Sequence, residues 1–195
     1  MEYFVLMTPN FTCDYFESIL TEKGRIIVWK PADNQMGKGD RSEKRKTERL
    51  ELLRMLNSLG YSTTELYYKS TGQPMLAVDS SEYLSLSHSN GWYAIYISNE
   101  PVGVDIEVER DSIQDGKSWF VNPREWDFFL THEELHCVWG AKEAYYKKLE
   151  GQIADLRQEV TIQQILESSL ILEHEDREER LFHKKIENAY LVWTI

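Results

Sequence analysis

The segment Val102-Gly103-Val104-Asp105-Ile106-Glu107-Val108-Glu109 alternates apolar and polar residues at nearly every position. Successive side chains of an extended chain point to opposite faces. Val102, Val104, Ile106 and Val108 therefore share one face of a predicted strand, and Gly103, Asp105, Glu107 and Glu109 share the other. Asp105 and Glu107 project side by side, about 7 Å apart at a rise of roughly 3.3 Å per residue. Two like charges so placed repel unless something cationic sits between them.

Around this strand the pattern alternates between strand and helix. Residues 3–7 and 25–30 read as strands and residues 14–22 as a short helix, and Pro31 to Gly39 reads as a loop. Residues 41–59 read as a helix stopped by Gly60, with Leu50, Leu53, Leu56 and Leu59 as its apolar positions. Segments 84–88 and 92–98 flank Ser89-Asn90-Gly91, a hairpin turn. Thr131 to Glu134 carries a capping-box signature, which starts a helix over about 132–149. Segments 170–174, 180–184 and 189–195 read as strands of an antiparallel sheet. The order of elements gives an α+β class.

The chain has 195 residues, 42% of them hydrophobic and 12% aromatic, which is enough for a core. No apolar run approaches the roughly 20 residues of a membrane helix, and residues 1–7 lack the basic region of a signal peptide. These features predict a soluble, cytoplasmic protein. Two cysteines, Cys13 and Cys137, make no disulfide framework. A net charge of −11 argues against nucleic-acid binding. Positive charge is nevertheless concentrated between Gly37 and Arg54, where Arg41, Arg45 and Arg49 form one stripe of the predicted helix. That stripe suits either a phosphate or a solvated face with i,i+4 ion pairs.

A magnesium site wants oxygen ligands and a third carboxylate beside Asp105 and Glu107. The second helix offers Glu143, which shares a face with Trp139 and Lys147 at i,i+4 spacing. An exposed Glu–Lys pair is the plainer reading of Glu143 and Lys147. His88 ends a strand between Ser87 and Ser89, where donors can grip a phosphate. A rival pattern is His132-Glu133-Glu134-Leu135-His136, an HExxH zinc motif. A metalloprotease zinc needs a third ligand, no downstream Gly-x-x-His supplies one, Glu159 would be a forced choice, and the capping box already accounts for the acids at this helix start.

Taken together these segments resemble the 4′-phosphopantetheinyl transferase family. The resemblance rests on Thr71-Gly72-Gln73-Pro74, Leu86-Ser87-His88-Ser89, Gly103-Val104-Asp105-Ile106-Glu107, and Trp139-Gly140-Ala141-Lys142-Glu143-Ala144-Tyr145-Tyr146-Lys147, in family order. With the basic helix it spans about 37–165. The chain looks like the longer, single-chain class, which implies two similar α+β subdomains, 1–100 and 101–195, with the second carrying the metal motifs. It also implies a monomer.

The resemblance implies transfer of the phosphopantetheine arm of coenzyme A to a serine of an apo acyl or peptidyl carrier protein. Asp105, Glu107 and Glu143 would hold Mg2+. Arg41 and Arg45 would receive the 3′-phosphate, and Lys69, Gly72, Gln73 and Pro74 would line the adenine side. Ser87, His88, Asp105, Lys142 and Lys147 would also contact the coenzyme, with Glu143 and Lys147 as the catalytic pair. The base is Glu143, Glu125 or a metal-bound water. Three departures stand out, one of them the short stretch before the basic helix. Gln73 replaces a residue that is basic in many members, and the glycine run after the helix is altered, with Gly151 one residue late. A degenerate member that binds coenzyme A or a carrier protein without transfer is the alternative.

Overall fold

In the computed structural model, residues 11–32, 40–62, 66–76, 81–128 and 130–195 are described. The strand expected at 3–7 and most of the loop expected at 31–39 lie outside them, as does the side chain of Arg41.

The chain begins with strands β1 (Cys13–Leu20) and β2 (Gly24–Pro31), then helix α1 (Arg41–Ser58). Short strands β3 (Tyr67–Tyr68) and β4 (Pro74–Met75) make a small ribbon, followed by β5 (Tyr83–Ser89), β6 (Trp92–Ser98) and β7 (Val104–Val108). Helix α2 (Ile113–Gly116) and 3-10 turns at Lys117–Trp119 and Pro123–Phe128 lead to α3 (His132–Lys148) and α4 (Leu156–Glu159). Strands β8 (Thr161–Ile165), β9 (Ser169–His174), β10 (Arg177–Ile186) and β11 (Ala189–Thr194) close the chain. The class is α+β, and each sheet is antiparallel.

One sheet has the order β1-β2-β6-β5 and the other β7-β11-β10-β9-β8. The first draws on residues 13–98 and the second on residues 104–194. They pack face to face: Ile26, Val28, Trp92, Ala94 and Tyr96 meet Val104, Ile106, Val108, Ala189 and Leu191. Helix α1 covers the outer face of the first sheet, setting Leu52, Met55 and Leu56 on Ile27, Trp29, Tyr93 and Ile95. Helix α3 covers the outer face of the second through Leu135, Val138, Ala141 and Ala144, against Leu170, Leu181, Tyr190 and Val192. Strand β6 is buried on both faces, so it shows none of the alternation of a half-exposed strand.

Local signals behave as expected where they act within a few residues. Thr131 and Glu134 form the capping box of α3. Asp40 caps α1 by accepting from the backbone N–H groups of Ser42 and Glu43 at 2.8 and 3.0 Å. Asn90 and Gly91 both take positive φ, at 43° and 84°, as a two-residue hairpin loop requires.

Two expectations are corrected. Residues 14–22 are not a helix: Cys13–Leu20 is β1, held by pairing along the length of β2. Phe16, Ile19 and Leu20 fall at helical spacing, but strand pairing places Phe16 on the α1 side and Tyr15 and Ile19 between the sheets. The apolar face of α1 is also rotated. Leu50 is 55% exposed and the buried set is Leu52, Met55 and Leu56, because the aromatic surface of β2 and β6 selects the face.

Candidate functional site

Strand β7 is an edge of its sheet, and β5 is an edge of the other. They lie alongside without a backbone ladder, and three serines join them. The hydroxyls of Ser85, Ser87 and Ser89 accept from the N–H groups of Val104, Ile106 and Val108 at 3.0, 3.2 and 3.1 Å. Period-2 spacing on both strands makes this possible, and it satisfies donors that an edge strand would otherwise leave unpaired. Leu84, Leu86 and His88 point the other way, toward α1.

The outward face of β7 meets α3 almost backbone to backbone. A Cβ placed on Gly103 would stand 1.7 Å from the Ala144 carbonyl oxygen. One placed on Gly140 would stand 3.6 Å from Asp105 Oδ2 and 2.8 Å from Val192. Glycine at these two positions lets the helix sink onto the strand and brings Asp105, Glu107 and Glu143 together. The carboxyls of Glu143 and Glu107 are both held above the usual carboxylate range. Burial is the largest cause for each, and the neighbouring Asp105 charge adds to it. The Glu107 charge acts on Glu143 in the same direction.

Cations already compensate part of this negative charge. Lys147 Nζ donates to Asp105 Oδ1 at 2.7 Å and to the Val104 carbonyl at 3.0 Å. Arg110 Nε lies 3.1 Å from Glu107 Oε1. Asp105 is nonetheless 94% buried by its 6% exposure, and its Oδ2 has no hydrogen-bond partner. A buried carboxylate oxygen without a partner is costly. Carboxylate oxygens of this kind are the ligand type that a hard divalent cation takes. Among the described residues, no group of three His, Cys, Asp or Glu side chains is arranged to hold a metal ion.

Beside these carboxylates lies a cavity of about 240 Å³. Its floor is Leu84, Ser85, Leu86 and His88 of β5, with Leu52 of α1. Tyr68, Thr71, Gly72, Gln73 and Pro74 of the β3–β4 ribbon form one wall, and Tyr146, Lys147, Glu150 and Gly151 of the α3 end form the other. Gly72 and Gly151 both take positive φ, at 89° and 78°, which turns the two wall segments toward each other. The Lys69–Glu150 ion pair at 2.9 Å spans the walls.

Of the residues expected from sequence, Gly72, Gln73, Pro74, His88 and Lys147 line this cavity. Asp105, Glu107 and Glu143 cluster beside Lys147. Arg45 is exposed on the first half of α1. Lys69 is taken by Glu150 rather than lining the space. Ser87 is a correction: it is buried, accepting from Ile106 N–H and donating to Asp105 Oδ1 at 2.7 Å, so it orients the carboxylate instead of facing a ligand.

Lys142 is a second correction. It is fully buried, pairs with Glu125 at 2.9 Å and donates to the Phe120 carbonyl at 2.7 Å. It ties the 117–125 segment to α3 and does not face the cavity. Glu125 is equally committed, accepting from Asn122 and Ile162 N–H groups at 2.7 and 2.6 Å, so it is not a base poised for a substrate.

The HExxH pair is also accounted for by structure. His136 Nε2 accepts from Arg110 N–H at 3.2 Å, and its Nδ1 faces the His132 carbonyl at 2.8 Å. His132 Nε2 sits 3.0 Å from the Arg110 carbonyl, with Nδ1 3.5 Å from Glu109. The rings anchor the end of β7 to the start of α3, and His136 has no free lone pair for zinc.

Several cavity residues carry no signal of their own in the sequence: Leu52, Tyr68, Tyr146 and Glu150. The alternating Ser85, Ser87 and Ser89 opposite Val104, Ile106 and Val108 is the one pattern that could have revealed the joint between sheets. No family model matches the chain, and no curated protein matches it.

Proposed function

We propose that this protein is a magnesium-dependent 4′-phosphopantetheinyl transferase with the two-subdomain fold of that family's longer class. It would move the arm of coenzyme A to a serine of an apo acyl or peptidyl carrier protein. The observation that carries the reading is that Asp105, with its partnerless buried oxygen, acts electrostatically on both Glu107 and Glu143 and is paired with Lys147, which lines a cavity together with residues of the other two motifs. Residues far apart in sequence, at 72–74, 88 and 147, line one cavity, and Lys147 links it to Asp105.

Asp105, Glu107 and Glu143 would hold the ion, which neutralises diphosphate charge when bound. Lys147 lies between Asp105 and the cavity, so its ammonium is placed to turn from the carboxylate to a phosphate oxygen. His88 supplies a second donor from the floor. The apolar lining, with Tyr68, Pro74, Leu84 and Tyr146, suits a flat base. The serine oxygen would attack the β-phosphorus, its proton would pass to a base, and adenosine 3′,5′-bisphosphate would leave. Glu143 is our choice of base, directly or through a metal-bound water; burial and its acidic neighbours hold its carboxyl above the usual range. Positioning and charge neutralisation carry most of such a reaction.

Incubation with apo carrier protein, coenzyme A and magnesium, read by intact mass, tests the reading. A carrier heavier by one phosphopantetheine arm supports it. Coenzyme A binding without any mass gain on several carriers supports the binding-only alternative, which the Lys147–Asp105 and Arg110–Glu107 pairs favour.

A further inference from the structure

Among the described residues His88 is the one imidazole that lines the cavity, and behind it stands a carboxylate that the proposed reaction does not use. Glu48 of α1 is buried, with 7% exposure, although it sits on a helix whose neighbouring positions 43–46 and 49–50 are exposed. Its Oε1 lies 3.4 Å from His88 Nδ1, an ion-pair distance that becomes attractive once the ring is protonated.

We propose that Glu48 is a positioning residue that holds the His88 ring against α1 and stabilises its imidazolium when a diphosphate enters the cavity. The inference rests on the phosphate-binding reading of that cavity, and it adds a residue outside all of the motifs.

The charges around His88 are divided. Glu48 and Lys44 face it from α1, Lys147 from α3 and Asp105 from β7, and the Tyr93 ring of β6 is 6.2 Å away. Burial lowers its pKa, with Lys147 and Lys44 acting in the same direction, while Glu48 and Asp105 oppose them. Burial thus works against the charged form of the ring in the free protein. An imidazole that keeps its Nδ1 proton directed at Glu48 can donate from Nε2 to a phosphate oxygen only when both nitrogens are protonated. A dianionic ligand adds the attraction that Glu48 alone does not complete. Anion binding then favours uptake of a proton at His88, and the carboxylate 3.4 Å away supports the charged ring.

The test is a pH titration of the His88 ring by nitrogen-15 NMR on the full chain, with and without inorganic pyrophosphate in metal-free buffer. In Glu48→Gln the His88 midpoint is expected to fall by roughly one pH unit, and Glu48→Asp is expected to lie between this variant and the parent. Pyrophosphate is expected to raise the parent midpoint by about one unit, and the midpoint of Glu48→Gln with pyrophosphate is expected to stay about one unit below that of the parent with pyrophosphate. An identical midpoint in the parent and both variants overturns the role of Glu48. A parent midpoint that pyrophosphate leaves unmoved overturns the diphosphate at His88, and this arm needs no variant to fold. The carrier-mass assay is independent: if no arm is transferred while the midpoints move as described, the transferase reading falls and this inference stands.

Discussion

Gly103→Ala is the sharpest test of how fold and site are coupled. The added Cβ would stand 1.7 Å from the Ala144 carbonyl oxygen, 2.7 Å from its carbon and 3.0 Å from Lys148 N. All three are backbone atoms, so no rotamer change relieves the overlap. Restoring a carbon–oxygen contact of about 3.3 Å requires α3 to lift from β7 by about 1.6 Å. Overpacking of this kind costs typically 1–3 kcal/mol and occasionally more, and a backbone clash belongs at about 3 kcal/mol or above. With an m-value of about 2 kcal/mol/M in urea, the unfolding midpoint is expected to drop by about 1.5 M. The same lift parts Lys147 from Asp105, now 2.7 Å apart, and Glu143 from its partners. Transfer should then fall by about 100-fold, the usual cost of a 1 Å misplacement. Gly116→Ala is the control, because nothing lies within 4 Å of its added Cβ; it should stay within about 0.5 kcal/mol of the parent. A Gly103→Ala midpoint within about 0.3 M of the parent would refute the claim that direct backbone contact sets the site.

Asp105→Ala is expected to abolish transfer while the circular dichroism spectrum stays that of the parent, since the change relieves the repulsion on Glu107 and Glu143; full activity would remove Asp105 from the site. The raised carboxyls of Glu107 and Glu143 contribute stability that is present below the ordinary carboxylate range and lost as pH rises through their raised values. Magnesium needs the ionised forms, so its stabilisation, read as a Tm gain, should be larger at pH 8 than at pH 5 and shrink in Glu143→Gln; a gain independent of pH contradicts this. Lys142→Met leaves the Glu125 carboxylate buried and unpaired, at an expected cost of about 3–5 kcal/mol in urea unfolding. Pairing it with Glu125→Gln should recover part of that loss, and a single-variant cost under about 1 kcal/mol would mean the pair is not closed to water.

The sequence by itself determined whatever depends on a few neighbouring residues. Alternation set the faces of β7, the Thr131–Glu134 box started α3, and Asn90-Gly91 turned the β5–β6 hairpin, because each is a matter of local backbone geometry. It also placed Asp105 and Glu107 on one face of a strand. What it left open was which surfaces meet. Lys142 and Lys147 lie on the same helix, and only the packing of α3 against β7 sends one to Glu125 and the other to Asp105. Ser87 and His88 are adjacent, and the meeting of β5 with β7 turns the first inward and leaves the second at the cavity. Residues 14–22 became a strand because β2 offered a full ladder, and the buried face of α1 was selected by the aromatic sheet beneath it. Long-range contacts decide such choices because a side chain's environment is fixed by the partner element, and one helix or strand does not encode which partner it will find.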